Sequence, residues 1–560
     1  MKVLSPKPKI STVTPIEPAL EIADVTGIQW RDSADVVVVG WGAAGACAAI
    51  EARDNGSSVI VIDRFEGGGA SALSGGVVYA GGGTPYQLQA GYQDSPEAMA
   101  AYLKHEVNGV VSDQTLVKFC QDSVANLAWL ESHGAKFAAT MPDHKTSYPP
   151  EGKFLYYSGN ELVPACKTKE GPPAPRGHRT VARGQSGKVL FEALQKATLK
   201  SGAQTVTQAT VRRLVCERGL AGRPGRVLGI EVWQLPTGAP ETLRHVALQE
   251  KVARWRTFWP NKAAECRREA AKIEQATAVR TYIRALKGVI LSTGGFIYNP
   301  ELMAKFAPHA KKGWPIGDAG CDGSGLRLGQ TVGASFSALN NISAWRFITP
   351  PSVWPKGIVI NSQGERFCNE QAYGAKLGHE LVDHQNGRGW LIIDTQLKWQ
   401  AVKQCLFGGL WGFQSLPALA MMLFGAKKGN SIEDLAAKLK SDPIKLRHSL
   451  ETANAAARGE CEDAFGKSKD MRHDMSRGPF LAMDISIGSP TFPLATITLG
   501  GLCVDEVNGQ VLHESGQAIA GLYAAGRAAL GLPSSRYVSG LSLADCVFSG
   551  RRAGRSAALN

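Results

Sequence analysis

ADVVVVGWGAAGACAAIEARDNGSSVIVID, residues 34–63, decides the fold. It opens on an apolar strand, turns through Gly40-Trp41-Gly42-Ala43-Ala44-Gly45, continues as a small-residue helix closed by Gly56, and ends on a second apolar strand at Asp63. Strand, helix and strand in so short a span form one βαβ unit, which requires a parallel sheet and a right-handed crossover. The glycine spacing is GxGxxG. Gly40 makes the tight turn, Gly42 leaves room for a pyrophosphate, and Gly45 lets helix and strand pack closely. Ala43 and Ala44 open the helix, whose N-terminus faces phosphate charge. Asp63, at the end of the second strand, is placed to accept hydrogen bonds from ribose hydroxyls.

Two further glycine segments choose among dinucleotides. GGGASALSGG contributes Gly69, Ala70, Ser71, Ser74, Gly75 and Gly76, next to Arg64. Near the C-terminus GLYAAGR, with Gly526, precedes SGLSLAD, with Gly540, Ser542 and Leu543 at a helix start. A helix N-terminus there can face the N1/O2 edge of a flavin. An NAD-only dehydrogenase has no use for this second site, so FAD is the expected cofactor. Val211, Gly294 and Asp322 complete the expected cofactor contacts.

Glycine makes up 63 of 560 residues, against about 7% in average proteins. The chain is 44% hydrophobic and long enough for two cores. The expected class is α/β with an α+β cap: a Rossmann-type FAD-binding domain (34–340 and 480–560) interrupted by a smaller catalytic or cap domain (341–479). Residues 1–33 read as an extended N-terminal extension, polar and proline-containing, neither signal peptide nor anchor. Residues 248–286 carry charged helical spacing with Trp255, Phe258 and Trp259. They are expected to form an exposed hairpin packing its aromatics on its own domain, with a membrane surface or a partner subunit as the alternatives. Leu406 to Gly425, the most apolar stretch, is a poor spanning helix and reads as core or substrate-facing.

The net charge of +13 comes from scattered Lys and Arg without an aromatic-interleaved stripe, which argues against nucleic acid. Eleven dispersed cysteines without a CxxC pair predict reduced thiols and a cytoplasmic protein. His178 and His513 lack metal-ligand spacing, so no metal is expected. Ser71 and Ser74 lack the partners of a serine hydrolase.

Several motifs together resemble the fumarate reductase / 3-ketosteroid dehydrogenase flavoprotein superfamily: VVVVGWGAAGACAAIEA, GGGASALSGG, GVILSTGGF, GDAGCDGSG, NSQGERFCNE, TLGGL and GLYAAGR…SGLSLADCVFSGRRAG. They run in the family's order over about residues 34–555. The resemblance implies non-covalent FAD, because neither Cys nor His stands where covalent attachment is expected. It also implies a choice of substrate. Where fumarate reductases carry a proton-shuttling Arg, this chain reads RFCNEQAYG, with Tyr373 nearby. Where they carry a carboxylate-gripping Arg, it reads Tyr537, with Ser539 in place of a glycine and Arg536 adjacent.

Tyrosine and serine suit a neutral ketone better than a dicarboxylate. YVSGLSLAD resembles the 3-oxo-5α-steroid 4-dehydrogenase subgroup, whose catalytic set of two tyrosines and a serine matches Tyr373, Tyr537 and Ser539. The implied reaction removes a C5 hydride and a C4 proton from a steroid ketone to leave a 4-ene-3-one, with Tyr537 as base and Ser539 and Tyr373 as relay or polarising groups. Backbone N–H groups near Gly501 or Gly540 would stabilise the enolate. A Δ1-dehydrogenase, a fumarate-reductase-like ene-reductase and a non-catalytic electron-relay subunit are the alternatives. The electron acceptor is left open.

Overall fold

The computed structural model describes residues 10–219 and 225–560; residues 1–9 of the polar lead-in lie outside the described residues. In the first domain the chain runs β1 (Leu20–Ile22), β2 (Asp32–Val39), α1 (Ala43–Asp54), β3 (Val59–Ile62), β4 (Gln204–Val206), β5 (Ala209–Glu217) and β6 (Val227–Gln234). Helices α2 (Pro240–Trp255) and α3 (Pro260–Thr277) follow, then β7 (Val279–Leu291). The cap adds β8 (Ile342–Trp345), β9 (Ile358–Ile360), β10 (Trp390–Asp394), α4 (Thr395–Phe407), α5 (Gly412–Ala420), β11 (Ala426–Gly429) and β12 (Phe480–Asp484). The return to the first domain supplies β13 (Ala495–Thr498), β14 (Gln510–Leu512), β15 (Ala518–Ala524) and α6 (Leu541–Leu559).

Val36 to Val39 are buried on both faces of β2, as a strand between parallel neighbours requires. β3 and then β4 extend the sheet in parallel on one side. On the other side lies β7, whose thirteen residues serve two pairings. Its first half is antiparallel to β6, its second half parallel to β15, and the register against β2 shifts between Ala285 and Gly288 where the partners change. β5 pairs antiparallel with β6, and β1 closes that edge in parallel with β5.

The residues read as an N-terminal extension over 1–33 thus pack on the domain: Leu20–Ile22 form its edge strand and Thr14 is buried against Asp322. The helical reading of 248–286 is corrected. The hairpin is α2–α3, and residues 279–286 are strand because Ile283 and Ala285 alternate inward against β2 while their neighbours stay half-buried or exposed.

The cap is a four-stranded antiparallel sheet in the order β9-β10-β12-β11, over a core running from Ile348 to Ile485. β12 pairs along its length with β10, so the cap extends past the expected boundary at 479. Two strands join cap to first domain: β8 pairs antiparallel with β13. Just beyond β8, the buried Arg346 guanidinium donates to the carbonyl oxygens of Ser486 (3.1 Å) and Phe492 (2.8 Å), pinning the return crossing. Among the described residues no helix is long and apolar enough to cross a membrane.

The two long helices that flank the cofactor turn meet backbone to backbone. A Cβ on Gly550 would lie 2.5 Å from the Ala44 carbonyl oxygen, and one on Gly554 would overlap that of Ala48. The pair sits four residues apart on one face of α6, so α1 and α6 approach without side chains between them. Gly554→Val should therefore destabilise the protein by about 3 kcal/mol or more, the overpacking range for a site with no room to yield. Chemical denaturation checks this, and an unchanged midpoint would show that the helices can slide apart.

Candidate active site

Gly40 takes φ = 100° so that the chain can turn from β2 into α1, and a Cβ there would press on the Ser292 carbonyl oxygen at 2.7 Å. Gly45 packs behind it, where any Cβ would overlap the Gly40 carbonyl oxygen. Gly42 is different: its Cβ would meet Ser71 Oγ at 3.5 Å and the Gly68 carbonyl oxygen at 3.9 Å, both ordinary contacts, and would project toward an open cleft.

The cleft is lined by Gly40, Gly42, Ala43, Ala44, Asp63, Arg64, Gly69, Ala70, Ser71, Val211 and Gly294 from the sequence reading. It is lined as well by residues that reading missed, among them Thr14, Asp318, Cys321, Arg527 and Cys546. Gly45, Ser74, Gly75, Gly76, Gly526, Gly540, Ser542 and Leu543 do not line it. Gly526 packs against Ala44, and the Ser74 hydroxyl donates to the Ser71 carbonyl, 2.7 Å away.

Asp322 is a correction. Its carboxylate accepts from Thr14 N (2.7 Å), Thr14 Oγ1 (2.6 Å), Ser324 N (3.0 Å) and Arg64 Nη1 (3.0 Å), and the buried side chain does not line the cleft. Asp318, four residues earlier, faces the cleft instead. Arg64 lines the cleft with its guanidinium already paired to Glu274 (2.8 Å) and Asp322.

The donor set fits FAD. Asp63 accepts from Trp41 N (2.7 Å) and Phe65 N (2.8 Å), each oxygen keeping a lone pair. Burial pushes the Asp63 and Asp318 carboxyls up, and at Asp318 the nearby Asp63 adds to it. Two such acceptors suit the hydroxyl and amino donors of an adenosine. Arg527 Nη1 is buried without a hydrogen-bond partner, a cationic donor aimed at an anionic or carbonyl-rich group. Cys321 and Cys546 line the cleft as protonated thiols, their pKa values raised by burial, that of Cys546 to about 12.

Beyond the cleft, four hydroxyls gather from distant parts of the chain. Ser539 Oγ lies 3.0 Å from the Tyr156 hydroxyl and stands close enough to the Tyr373 hydroxyl to favour its ionised form. Tyr537 packs its ring on Trp345 at a centroid distance of 4.9 Å, and Tyr373 sits edge-on to Phe347 at 5.3 Å. β8 and the second residue after it thus present Trp345 and Phe347 to the tyrosines, while Arg346 between them anchors the cap.

Tyr373 is fixed from behind: its N–H donates to Asn160 Oδ1 (2.7 Å), and Asn160 Nδ2 donates to Glu106 Oε1 (2.7 Å). Burial raises all three tyrosine pKa values, Tyr537 to about 12 with Arg527 partly offsetting the rise. The structure thus brings Tyr373 and Ser539 together and adds Tyr156, which the sequence reading missed. Tyr156 lies on a short strand paired with Gly177, far along the chain from its partners, and no local pattern marks it. His178, on the same strand pair, is buried with its pKa pushed down to about 4 and bonds Thr84, a structural role. No cluster of metal-ligating side chains occurs among the described residues.

Comparison with known proteins agrees with this architecture. Residues 35–542 match the family described as FAD binding domain. The chain is 55% identical to 3-oxo-5-alpha-steroid 4-dehydrogenase of Comamonas testosteroni, over 93% of this chain and 97% of that one. It is 26% identical to a 3-oxosteroid 1-dehydrogenase of Mycobacterium tuberculosis, over 88% and 92%. Among solved structures it superposes with a TM-score of 0.80 on the 3-ketosteroid-delta4-(5alpha)-dehydrogenase of Rhodococcus jostii RHA1 in complex with 4-androstene-3,17-dione, at 28% identity over 97% of this chain and all of that one. The close packing of Gly40 and Gly45, the open Gly42 and the unpartnered Nη1 of Arg527 are thus features of a protein that belongs to the FAD-binding flavoprotein family, that of the 3-oxo-5-alpha-steroid 4-dehydrogenase.

Proposed function

We propose that the chain dehydrogenates a 3-ketosteroid with a saturated, 5α-configured A ring, removing the C4 proton and C5 hydride to leave the 4-ene-3-one. The observation that carries this reading is the hydroxyl cluster of Ser539, Tyr156 and Tyr373 beyond the cleft. It faces a ketone with donors and supplies no cationic grip for a carboxylate. The Comamonas relative's activity and the steroid held by the Rhodococcus neighbour support it.

FAD, held non-covalently by the turn at Gly40–Gly45, Asp63, Asp318 and Arg527, supplies the acceptor for the C5 hydride. The chain's own part is proton chemistry. Tyr373 and Tyr156 stay protonated, because burial disfavours their ionised forms; one proton is shared between Tyr156 and Ser539, and the hydroxyl protons left over donate toward the 3-keto oxygen. Donors aimed where negative charge develops acidify the C4 hydrogen. Tyr537 takes that proton. With a pKa raised to about 12, Tyr537 is ionised in roughly one molecule in 10⁵ at neutral pH. Arg527 favours that ionised form. Trp345 and Phe347 keep water from the ring that reacts.

Non-covalent binding predicts that acid precipitation leaves the yellow colour in the supernatant; flavin remaining with the pellet overturns it. Gly42→Val should fold with near-normal thermal stability, because the added carbons enter the cleft rather than the core, yet purify colourless.

For the chemistry, anaerobic stopped-flow should show flavin bleaching by a 5α-saturated 3-ketosteroid and none by succinate. Succinate bleaching at a comparable rate would sink the steroid reading. Tyr537→Phe should lower the rate of flavin reduction by about 10²–10⁴-fold while FAD stays bound. Ser539→Ala should act in the same direction, the double variant losing less than the product of the single losses. Because Tyr537 acts deprotonated and its pKa is raised, the rate should climb with pH through the neutral and alkaline range. A plateau setting in near neutrality would assign the base elsewhere.

A further inference from the structure

Two protrusions of the molecule expose aromatic and aliphatic side chains that a soluble surface ordinarily hides. The first is the segment that the sequence reading placed in the core or against substrate. From the end of α4 through α5 and the turn after it, Phe407 is 80% exposed, Leu416 67% and Phe424 87%, with Leu406, Phe413 and Leu423 also exposed. The second is the tip of the α2–α3 hairpin, where Phe258 is 74% exposed and Trp259 is exposed beside it. The hairpin packs on its own domain through His245 and Glu274, but its tip aromatics do not, contrary to the sequence expectation.

Within both segments the charges are of one sign. Residues 395–430 hold Lys398, Lys403, Lys427 and Lys428 and no Asp or Glu. Residues 251–264 hold Lys251, Arg254 and Lys262 beside the inward-turned Arg256, and the nearest acids, Glu250 and Glu265, stand at the two ends. Lys262 lies over the rings of Trp255 (5.8 Å) and Trp259 (5.9 Å), so cation and aromatics share one tip.

The two protrusions also border the same turn of the cofactor domain. Arg256 donates to the Leu73 carbonyl at 3.3 Å. Tyr148, whose ring neighbours Phe413 at 6.4 Å, donates to the Gly75 carbonyl at 3.0 Å.

We propose that these two tips form a docking surface for an anionic lipid bilayer, the aromatics entering the headgroup boundary and the lysines and arginines meeting lipid phosphate. Aromatic and leucine side chains interspersed only with cations are the composition of interfacial segments. A second copy of the chain is the competing occupant. Closing this surface on itself about a two-fold axis would set its lysines and arginines against one another, with no acid within either segment to neutralise them. A bilayer carrying phosphatidylglycerol supplies the missing charge. The docking does not depend on the substrate assignment, since empty vesicles test it.

The test is co-sedimentation of the FAD-loaded protein with phosphatidylcholine vesicles, with and without phosphatidylglycerol. The wild-type protein should pellet with the anionic vesicles and release as salt screens the headgroups. Phe407→Ser with Phe424→Ser, and separately Phe258→Ser with Trp259→Ser, should each lower the partition at least about tenfold, through loss of inserted apolar area. Lys398→Gln with Lys403→Gln should weaken binding to anionic vesicles by about fivefold per lysine.

These positions are exposed, Lys398 partly so, and none lies in the cleft or the core, so flavin absorbance and thermal stability should be unchanged. That separates lost docking from lost fold. Wild-type protein that stays in the supernatant, or serine variants that bind as the wild type does, would overturn the proposal. So would sedimentation velocity showing a dimer that Phe407→Ser with Phe424→Ser dissociates, since the surface would then belong to a second copy.

Discussion

Backbone touches backbone where α1 leaves β2, and every other part of the site takes its position from that contact. Gly45 admits no side chain because the Gly40 carbonyl oxygen occupies the space, and Gly550 and Gly554 repeat the condition on the other side of α1. Three elements are thereby locked at the distance of bare main chains, where a single methyl group is an obstruction. The consequence reaches the chemistry. Gly540 stands at the start of α6 with φ = 89°, and a Cβ there would strike Tyr79 N. Tyr537 and Ser539 lie immediately before it, so the seating of α6 on α1 also fixes where those hydroxyls stand relative to the cleft.

A second constraint surrounds the polar end of the cleft. Arg64 is buried between Glu274 of the hairpin and Asp322 ahead of the helix at Ser324–Gln330, while Thr14 of the lead-in bonds to Asp322. Arg64 and His245 hold the Glu274 carboxyl down to about 2. Desolvating these groups costs much of what their attraction returns, so the cluster is weak evidence for added stability. Its effect is positional: four segments distant in sequence converge on one guanidinium, and the rim of the cleft is closed where they meet. This is also why Asp322 is buried behind the rim and Asp318 takes its place at the wall.

The cofactor turn was legible in the sequence because its requirements are local. Strand, glycines, helix and Asp63 occupy one continuous stretch, and each residue's role follows from its neighbours. Tyr156, Asp318 and Arg527 were not legible, because their relevance comes from pairing between segments that no spacing rule connects. Composition misled at two places. The apolar content of Leu406–Gly425 suggested burial, but hydropathy states only that side chains avoid water, not that this chain supplies the cover. The charged residues of 279–286 suggested helix, whereas the alternation of Ile283 and Ala285 toward β2 governs. The cap boundary shifted because β12 belongs to a sheet whose other strands lie far earlier in the chain.

The four hydroxyls beside the cleft do not share one environment, and that difference is the basis for dividing the proposed labour among them. Tyr156 and Tyr373 are enclosed with Ser539 as their common neighbour, and its hydroxyl only partly offsets the rise that burial imposes. Groups in that position remain donors across the physiological range. A donor that cannot ionise is what a carbonyl oxygen needs if charge is to gather on it during reaction. Tyr537 stands apart, stacked on Trp345, with the Arg527 charge as the counterweight to its burial. Of the three tyrosines it is the one whose surroundings include a cation that also lines the cofactor cleft, so its ionised form gains the most from a neighbour already required there. A proton acceptor and a set of proton donors within one small site stay distinct only if their pKa values are driven apart. Here burial acts on all of them, and the placement of one arginine makes the difference.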